Sequence, residues 1–261
     1  MAWHKKEILC LSCGEVYPIV EGIPIMVAGA DRKGAEQDGF DAVAPLYDAS
    51  LPSHVTAHYL NKRVKFIGER VERGLVLDVG SGTGALAQSL MESGYQVLGT
   101  DASLGMLKLF QARTGRTPVV ALAHALPYRS DAFRGVVCVA LLHHVARSDA
   151  VRASLGEMYR VLQTGGVLVV WDHNPANPYW PIIMKKVPQD SGRERLVPAS
   201  EICHGLRQAG AASLEVFKMG FVPDFAPPAL LPFFQRLEKT MEHWPLLRNW
   251  AAHNVVVGRK G

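Results

Sequence analysis

Cysteine is scarce in this chain: four in 261 residues, at positions 10, 13, 138 and 203. That number and spacing exclude a disulfide framework and point to reduced thiols. Long apolar runs are missing as well. No stretch approaches the roughly 18 uninterrupted apolar residues of a membrane-crossing helix, and Met1 to Ile8 carry Lys5, Lys6 and Glu7 where a secretory signal would place its apolar stretch. The expectation is a cytoplasmic protein. Charge of one sign is also in short supply, since 28 basic and 24 acidic residues leave a net charge of +4 spread along the chain. Lys5-Lys6, Lys185-Lys186 and Arg193 to Arg195 are the dense basic spots, each too small for a phosphate track, so nucleic acid is not an expected partner. What is present, 48% hydrophobic and 20% charged residues, suffices for one large core plus a small appendage and excludes a disordered or fibrous chain.

From Ile8 to Val27 short apolar runs alternate with Gly14, Pro18, Gly22 and Pro24, the pattern of a small β-hairpin module that is too short to fold alone. Polar, Gly-rich sequence then reads as a linker over 29–39, which divides the chain into 1–28, the linker, and a main domain over 40–261. Two helices follow Phe40, interrupted by Pro45 and Pro52. At Leu75 the rhythm changes. Short Val/Leu-rich strands near 75–79, 96–100, 118–122, 135–141 and 166–171 alternate with helices near 83–93, 103–113, 149–162 and 199–209, the signature of a mostly parallel α/β sheet. Ala212 to Phe217 and Asn254 to Gly258 read as two more strands, separated by a Pro- and aromatic-rich insertion.

The sharpest local signal is the run from Val76 to Gly84, a buried strand entering the glycine turn Gly80-Ser81-Gly82-Thr83-Gly84 and then a helix. Glycines there let the backbone approach a ligand closely, and the amide donors at the helix start suit a carboxylate or another anion. Asp101, about twenty residues downstream after the second strand, can accept hydrogen bonds from a ribose diol. The spacing of Gly80, Gly82 and Ala85 also fits a loose dinucleotide fingerprint. Asp78, inside the strand just before the turn, argues against that alternative, because an acid there repels a pyrophosphate and attracts an ammonium, and no second nucleotide-binding half is present. S-adenosylmethionine is the ligand that combines an ammonium, a carboxylate and a ribose diol.

These residues carry a resemblance. From about Phe40 onward the chain resembles a class I S-adenosylmethionine-dependent methyltransferase of the small-molecule branch, in the segments LDVGSGTG at 77–84, GTDAS at 99–103, ALPYRSDAFRGVVCVALLHHV at 125–145 and EMYRVLQTGGVLVVWD at 157–172. The resemblance implies a three-layer, Rossmann-like, seven-stranded sheet, mostly parallel with an antiparallel last strand. It further implies that Asp78 and the turn Gly80, Ser81, Gly82, Thr83 and Gly84 hold the methionine end, that Asp101 holds the ribose, that Ala102 and Met106 border the adenine, that Ala140 lies beside the cofactor, and that Tyr47 closes over the methionine carboxylate. Two departures stand out. Leu122 and Ala123 replace the acid that usually bonds the adenine amino group, which leaves that contact to backbone and apolar atoms, and Phe133-Arg134 replaces the usual Phe-Asp.

Methyl transfer from a sulfonium needs positioning and desolvation of the acceptor, and a hydroxyl acceptor also benefits from a base. His143 and His144 follow the fourth strand and Asp172 follows the fifth, so a parallel sheet brings them to one ligand-binding edge. His143 or His144 is the candidate base and Asp172 the residue that orients it. Insertions near 173–198 and 219–250, rich in Pro and aromatics, form a helical and loop lid over a small, hydrophobic or ring-bearing acceptor. An RNA methyltransferase and a non-catalytic cofactor-binding partner are the alternatives. The amino-terminal hairpin resembles half of the zinc-ribbon-like domains found beside some methyltransferases. Cys10 and Cys13, with His4 as a distant third, are too few for a closed zinc site, so the hairpin is expected to pack on the main domain or to meet a second copy of the chain as a homodimer.

Overall fold

The computed structural model describes residues 2–4, 6–28, 35–48, 52–145, 147–180, 184 and 194–261. Seven strands form the main sheet: β5 (Leu75–Val79), β6 (Gln96–Asp101), β7 (Val119–Val120), β8 (Phe133–Val139), β9 (Leu162–His173), β10 (Ser213–Met219) and β11 (His253–Arg259). Their order across the sheet is β10-β11-β9-β8-β5-β6-β7. The pairs β5–β6, β6–β7, β5–β8 and β8–β9 are parallel, and β11 runs antiparallel to both its neighbours. The antiparallel last strand expected from the sequence is therefore present.

Strand alternation sorts the apolar residues to two faces, as the period of two requires. Val76 of β5 and Val167, Val169 and Trp171 of β9 pack on one side, against α2 (Ser53–Gly68), α3 (Ala85–Glu92) and α4 (Leu104–Thr114). Leu77, Val79, Leu168 and Val170 pack on the other, against α5 (Ser148–Val161) and α6 (Ala199–Gln208). These are the three layers. Asp78 falls on the face of Val76, so its carboxylate points toward α2, and the sheet switches direction of build between β5 and β8, the place where α/β sheets bind ligands.

Two elements depart from the sequence expectation. The linker assigned to 29–39 contains the start of α1 (Ala35–Tyr47), because Ala35, Glu36 and Gln37 favour helix once a tertiary partner is available, and Pro45 sits within that helix's last turn instead of interrupting it. The amino-terminal hairpin is a four-stranded antiparallel sheet, with β1 (Ala2–His4), β2 (Glu7–Leu9), β3 (Val16–Val20) and β4 (Ile23–Pro24). It packs on the main domain: Ile25 bridges Val120 in parallel, and the Met26 amide donates to the Val120 carbonyl at 2.8 Å, covering the free edge of β7. Residues 29–34 of the linker, and 181–183 and 185–193 of the first insertion with their basic residues, lie outside the described residues. The second insertion holds a helix, α7 (Leu231–His243). No described helix is long and apolar enough to cross a membrane.

Candidate active site

A cavity of about 460 Å³ opens at the carboxyl ends of β5 and β8 and runs beneath α2 and the second insertion. Its floor is the glycine turn. Gly80 and Ser81 amides donate to the Thr100 carbonyl at 2.8 and 3.0 Å, and the Gly82 amide donates to Asp101 Oδ2 at 2.9 Å. Gly82 (φ +51°) and Gly84 (φ +82°) adopt left-handed backbone for different reasons. A Cβ on Gly84 would lie 2.7 Å from Phe110 Cδ2, whereas one on Gly82 would meet nothing within 4 Å and would occupy the space left for a ligand. Gly84→Ala should therefore cost about 2 kcal/mol or more of stability, seen as a lowered Tm. Gly82→Val should cost about 1–2 kcal/mol from its backbone alone while abolishing cofactor binding in a calorimetric titration.

Above the floor stand two buried opposite charges. Asp78 is buried, its Oδ2 has no hydrogen-bond partner, and burial pushes its pKa up to about 7, with the Asp101 charge adding to the effect and Arg63 opposing it. Arg63 reaches in from α2, its Nε unpartnered and its guanidinium carbon 5.7 Å from the Trp171 ring centroid, and burial pulls its pKa below the ordinary range. A buried acid and a guanidinium drawn toward it without a direct ion pair, the orphaned hydroxyl of Ser81 and an open Gly82 fit the amino-acid end of S-adenosylmethionine.

On the acceptor side, the 3₁₀ turn Leu142–His144 and the end of β9 bring four groups together. His143 Nδ1 lies 2.7 Å from Asp172 Oδ1, and both side chains are buried. The Asp172 carboxylate also accepts from the Leu142 amide at 2.6 Å and the His173 amide at 2.7 Å. Burial would raise the Asp172 pKa, but the charge of and hydrogen bond from His143 overcome it and hold the carboxyl below its usual range. His143 stacks on His173 at 4.2 Å between ring centroids, and His173 stacks on Trp180 at 3.7 Å. Burial drives the pKa of His144 and of His253 down to about 3 and holds that of His173 well below the ordinary imidazole range. These three imidazoles are thus neutral at physiological pH and act as an uncharged wall.

The lid is tied to α2. Tyr59 donates to the Val222 carbonyl at 2.7 Å, His54 Nε2 contacts the Ala226 carbonyl at 2.7 Å, and Trp180 donates to the Ala252 carbonyl at 2.6 Å. Glu238 of α7 accepts from the Phe221 amide at 2.8 Å, from His58 at 2.9 Å and from Lys62 at 2.7 Å. Burial favours its neutral form, yet His58 and Lys62 bring its pKa down to about 2.

Of the residues singled out from sequence, Tyr47, Asp78, Gly80, Ser81, Gly82, Thr83, Ala140, His143 and His144 line this cavity, Ala140 at a positive φ of 53°. Gly84 lies behind the turn, packed toward Phe110. Asp172 sits behind His143. Asp101 touches the site only through Gly82, its other oxygen accepting from the Ser103 amide at 2.9 Å. Ala102, Met106, Leu122 and Ala123 are not in the cavity wall; Leu122 borders a separate hollow of about 300 Å³ against Tyr17 and Met26 of the amino-terminal sheet. Arg134, the unexplained departure, pairs at the surface with Glu72, away from the cavity. Cys10 and Cys13 are free thiols, and among the described residues the cluster with metal-ligand proximity is His143, Asp172 and His173, whose carboxylate is already engaged in three hydrogen bonds. Arg63, Tyr59 and His253 were not anticipated. Val55, Tyr59 and Arg63 recur every fourth residue along α2, a stripe that marks one helix face.

Residues 77–170 match the family model described as a methyltransferase domain. Demethylmenaquinone methyltransferase of Renibacterium salmoninarum is 32% identical over 173 residues, which cover 62% of this chain and 71% of that protein. The ubiquinone biosynthesis O-methyltransferase of Pseudomonas fluorescens is 29% identical over 210 residues, covering 72% and 88%. The crystal structure of an S-adenosylmethionine-dependent methyltransferase from Thermotoga maritima superposes with a TM-score of 0.66 at 19% identity, over 87% of this chain and 100% of that one. The chain belongs to the class I S-adenosylmethionine-dependent methyltransferases. It is an enzyme, and S-adenosylmethionine is its methyl donor.

Proposed function

We propose that this methyltransferase transfers the methyl group to a ring hydroxyl of a small, apolar, quinol-like acceptor, with His143 as the general base. The observation that carries this reading is His143, backed by Asp172, in the wall of a cavity also lined by Trp180, Tyr179, Phe221 and Phe225. When bound, S-adenosylmethionine supplies an electrophilic methyl group on a sulfonium. Asp78 would hold its ammonium, and Arg63 with Tyr47 its carboxylate. Asp101, braced by the Gly82 and Ser103 amides just outside the cavity wall, would reach the ribose through its remaining lone pairs, and the Gly80 to Gly84 turn would hold the space between. Aromatic walls orient a flat ring and exclude water from it. Because Asp172 fixes Nδ1 of His143, Nε2 becomes the nitrogen that takes the acceptor's hydroxyl proton, and the buried Asp172 charge stabilises the imidazolium that results. The curated relatives bear demethylmenaquinone and ubiquinone biosynthesis in their names, which supports a quinone-type ring.

Transfer of labelled methyl to a panel of acceptors tests this. An apolar hydroquinone and a hydroxynaphthoquinol should accept label, and an aliphatic amine, a thiol and bulk RNA should not. Label in the amine or the RNA alone would refute the reading.

A further inference from the structure

The outer surface of the second insertion is unusual for a protein in water. Leu230, Phe233, Leu237, Trp244, Leu246 and Trp250 are exposed, with Phe233 at 60%, Leu246 at 77% and Trp250 at 57% of full accessibility. On α7, Phe233 and Leu237 lie one turn apart on one face, and Trp244 caps the helix immediately after its last turn. Interleaved with them are Arg236, Lys239 and Arg248, all exposed. The two acids between residues 225 and 250, Glu238 and Glu242, both turn inward. Glu238 binds His58 and Lys62, and Glu242 binds Lys62 and accepts from the Gly220 amide at 2.7 Å. The outward face is thus apolar and cationic with no exposed acid.

That combination distinguishes two kinds of occupant. A protein partner or second copy is matched by an apolar centre with a mixed-sign rim, whereas a row of large apolar side chains with cations alone at its border matches the headgroup region of an anionic bilayer, where tryptophan rings settle and lysine and arginine reach phosphates. The insertion that carries the patch also supplies the cavity lining. Phe225, 70% exposed, lies five residues before Leu230 in the same insertion and lines the cavity, and it contacts Tyr179 at 6.5 Å between ring centroids.

We propose that the outer face of residues 225–250 docks on an anionic phospholipid surface, which sets the cavity mouth at the membrane so that a lipophilic acceptor enters from the bilayer without crossing water. The docking itself stands on the patch; only the acceptor's route rests on the proposed function.

Sedimentation with vesicles, free of methyl donor and acceptor, keeps the two separate. The full-length protein should sediment with phosphatidylglycerol/phosphatidylethanolamine vesicles at low salt, lose that binding at high salt, and remain in the supernatant with pure phosphatidylcholine. The variant Phe233→Ser/Leu237→Ser/Trp244→Ser should lower the vesicle partition coefficient by about tenfold or more, as should Arg236→Glu/Lys239→Glu/Arg248→Glu. Both should remain folded, as circular dichroism checks, since none of these side chains belongs to a buried core cluster, and both should still methylate a water-soluble, short-chain hydroquinone. Wild-type protein that stays in the supernatant with every vesicle overturns the proposal. So does a variant that binds vesicles as well as wild type, or one that only changes the mass measured by light scattering, which would make the face a contact between copies of the chain.

Discussion

Asp78→Asn should stabilise the ligand-free protein at pH 8 and abolish its binding of S-adenosylmethionine. The carboxyl is fully buried, and its pKa is raised from the ordinary 3.8 to about 7. In the window between those values the folded protein holds a proton that the unfolded chain releases, so this group's contribution to stability falls as pH rises through the window and levels off above about 7. Moving a carboxyl from 3.8 to about 7 corresponds to about 4 kcal/mol at full ionisation. The Asn amide still buries polar atoms, so roughly half of that is recovered, about 2 kcal/mol and several degrees of Tm. The same burial makes the acid useful, because an ammonium placed beside it supplies the charge that the fold withholds. Cofactor affinity of the wild type should accordingly weaken about tenfold for each pH unit below about 7. Thermal melts at pH 5 and pH 8, with calorimetric titrations at the same pH values, check both halves. A variant less stable than wild type at pH 8 contradicts the assignment.

His143→Gln should lower kcat by about 10² to 10⁴ while leaving cofactor affinity intact, and His144→Gln should leave kcat near wild type. The two histidines are adjacent in sequence and nearly in contact, with ring centroids 4.0 Å apart, yet only His143 bonds Asp172. Burial lowers the pKa of His144 to about 3, which makes it too weak a base to take a proton from a phenol. Asp172→Asn should act through His143, reducing kcat and altering its pH profile, and should also cost stability because the Leu142 and His173 amides lose a charged acceptor. Steady-state kinetics across pH with calorimetry of the cofactor separate these effects. Equal loss in the two histidine variants would mean that both merely hold the wall in place.

The parts of this enzyme legible in sequence are those set by short-range pattern. Valine-rich apolar runs mark β5, β8 and β9, and the run from Asp78 to Gly84 combines a buried strand, positive-φ glycines and a helix start within a few residues. The pairing of His143 with Asp172 was half legible: parallel strands bring their carboxyl ends together, but the choice between two adjacent histidines depends on the 3₁₀ turn at Leu142, which composition does not reveal. Arg63 was hidden because an arginine in a surface-like helix pattern ordinarily faces water; it is buried here because β5 presents Asp78 to the same face of α2. The start of α1 carries a linker-like sequence for a related reason. Its helix exists by packing on α4, where Asp41 accepts from the Gly105 amide at 2.7 Å, a contact 64 residues away in sequence. The inward turn of Glu238 and Glu242, which leaves the outer face of α7 without acids, likewise depends on Lys62 of a distant helix.

The most direct test of the central claim is carbon-13 NMR of the product formed from methyl-labelled S-adenosylmethionine and a short-chain apolar hydroquinone. Transfer to oxygen with His143 as base predicts one methoxy carbon signal, formed by the wild type and lost in His143→Gln. A ring-methyl carbon signal, or a methoxy signal of equal rate in the variant, would contradict it.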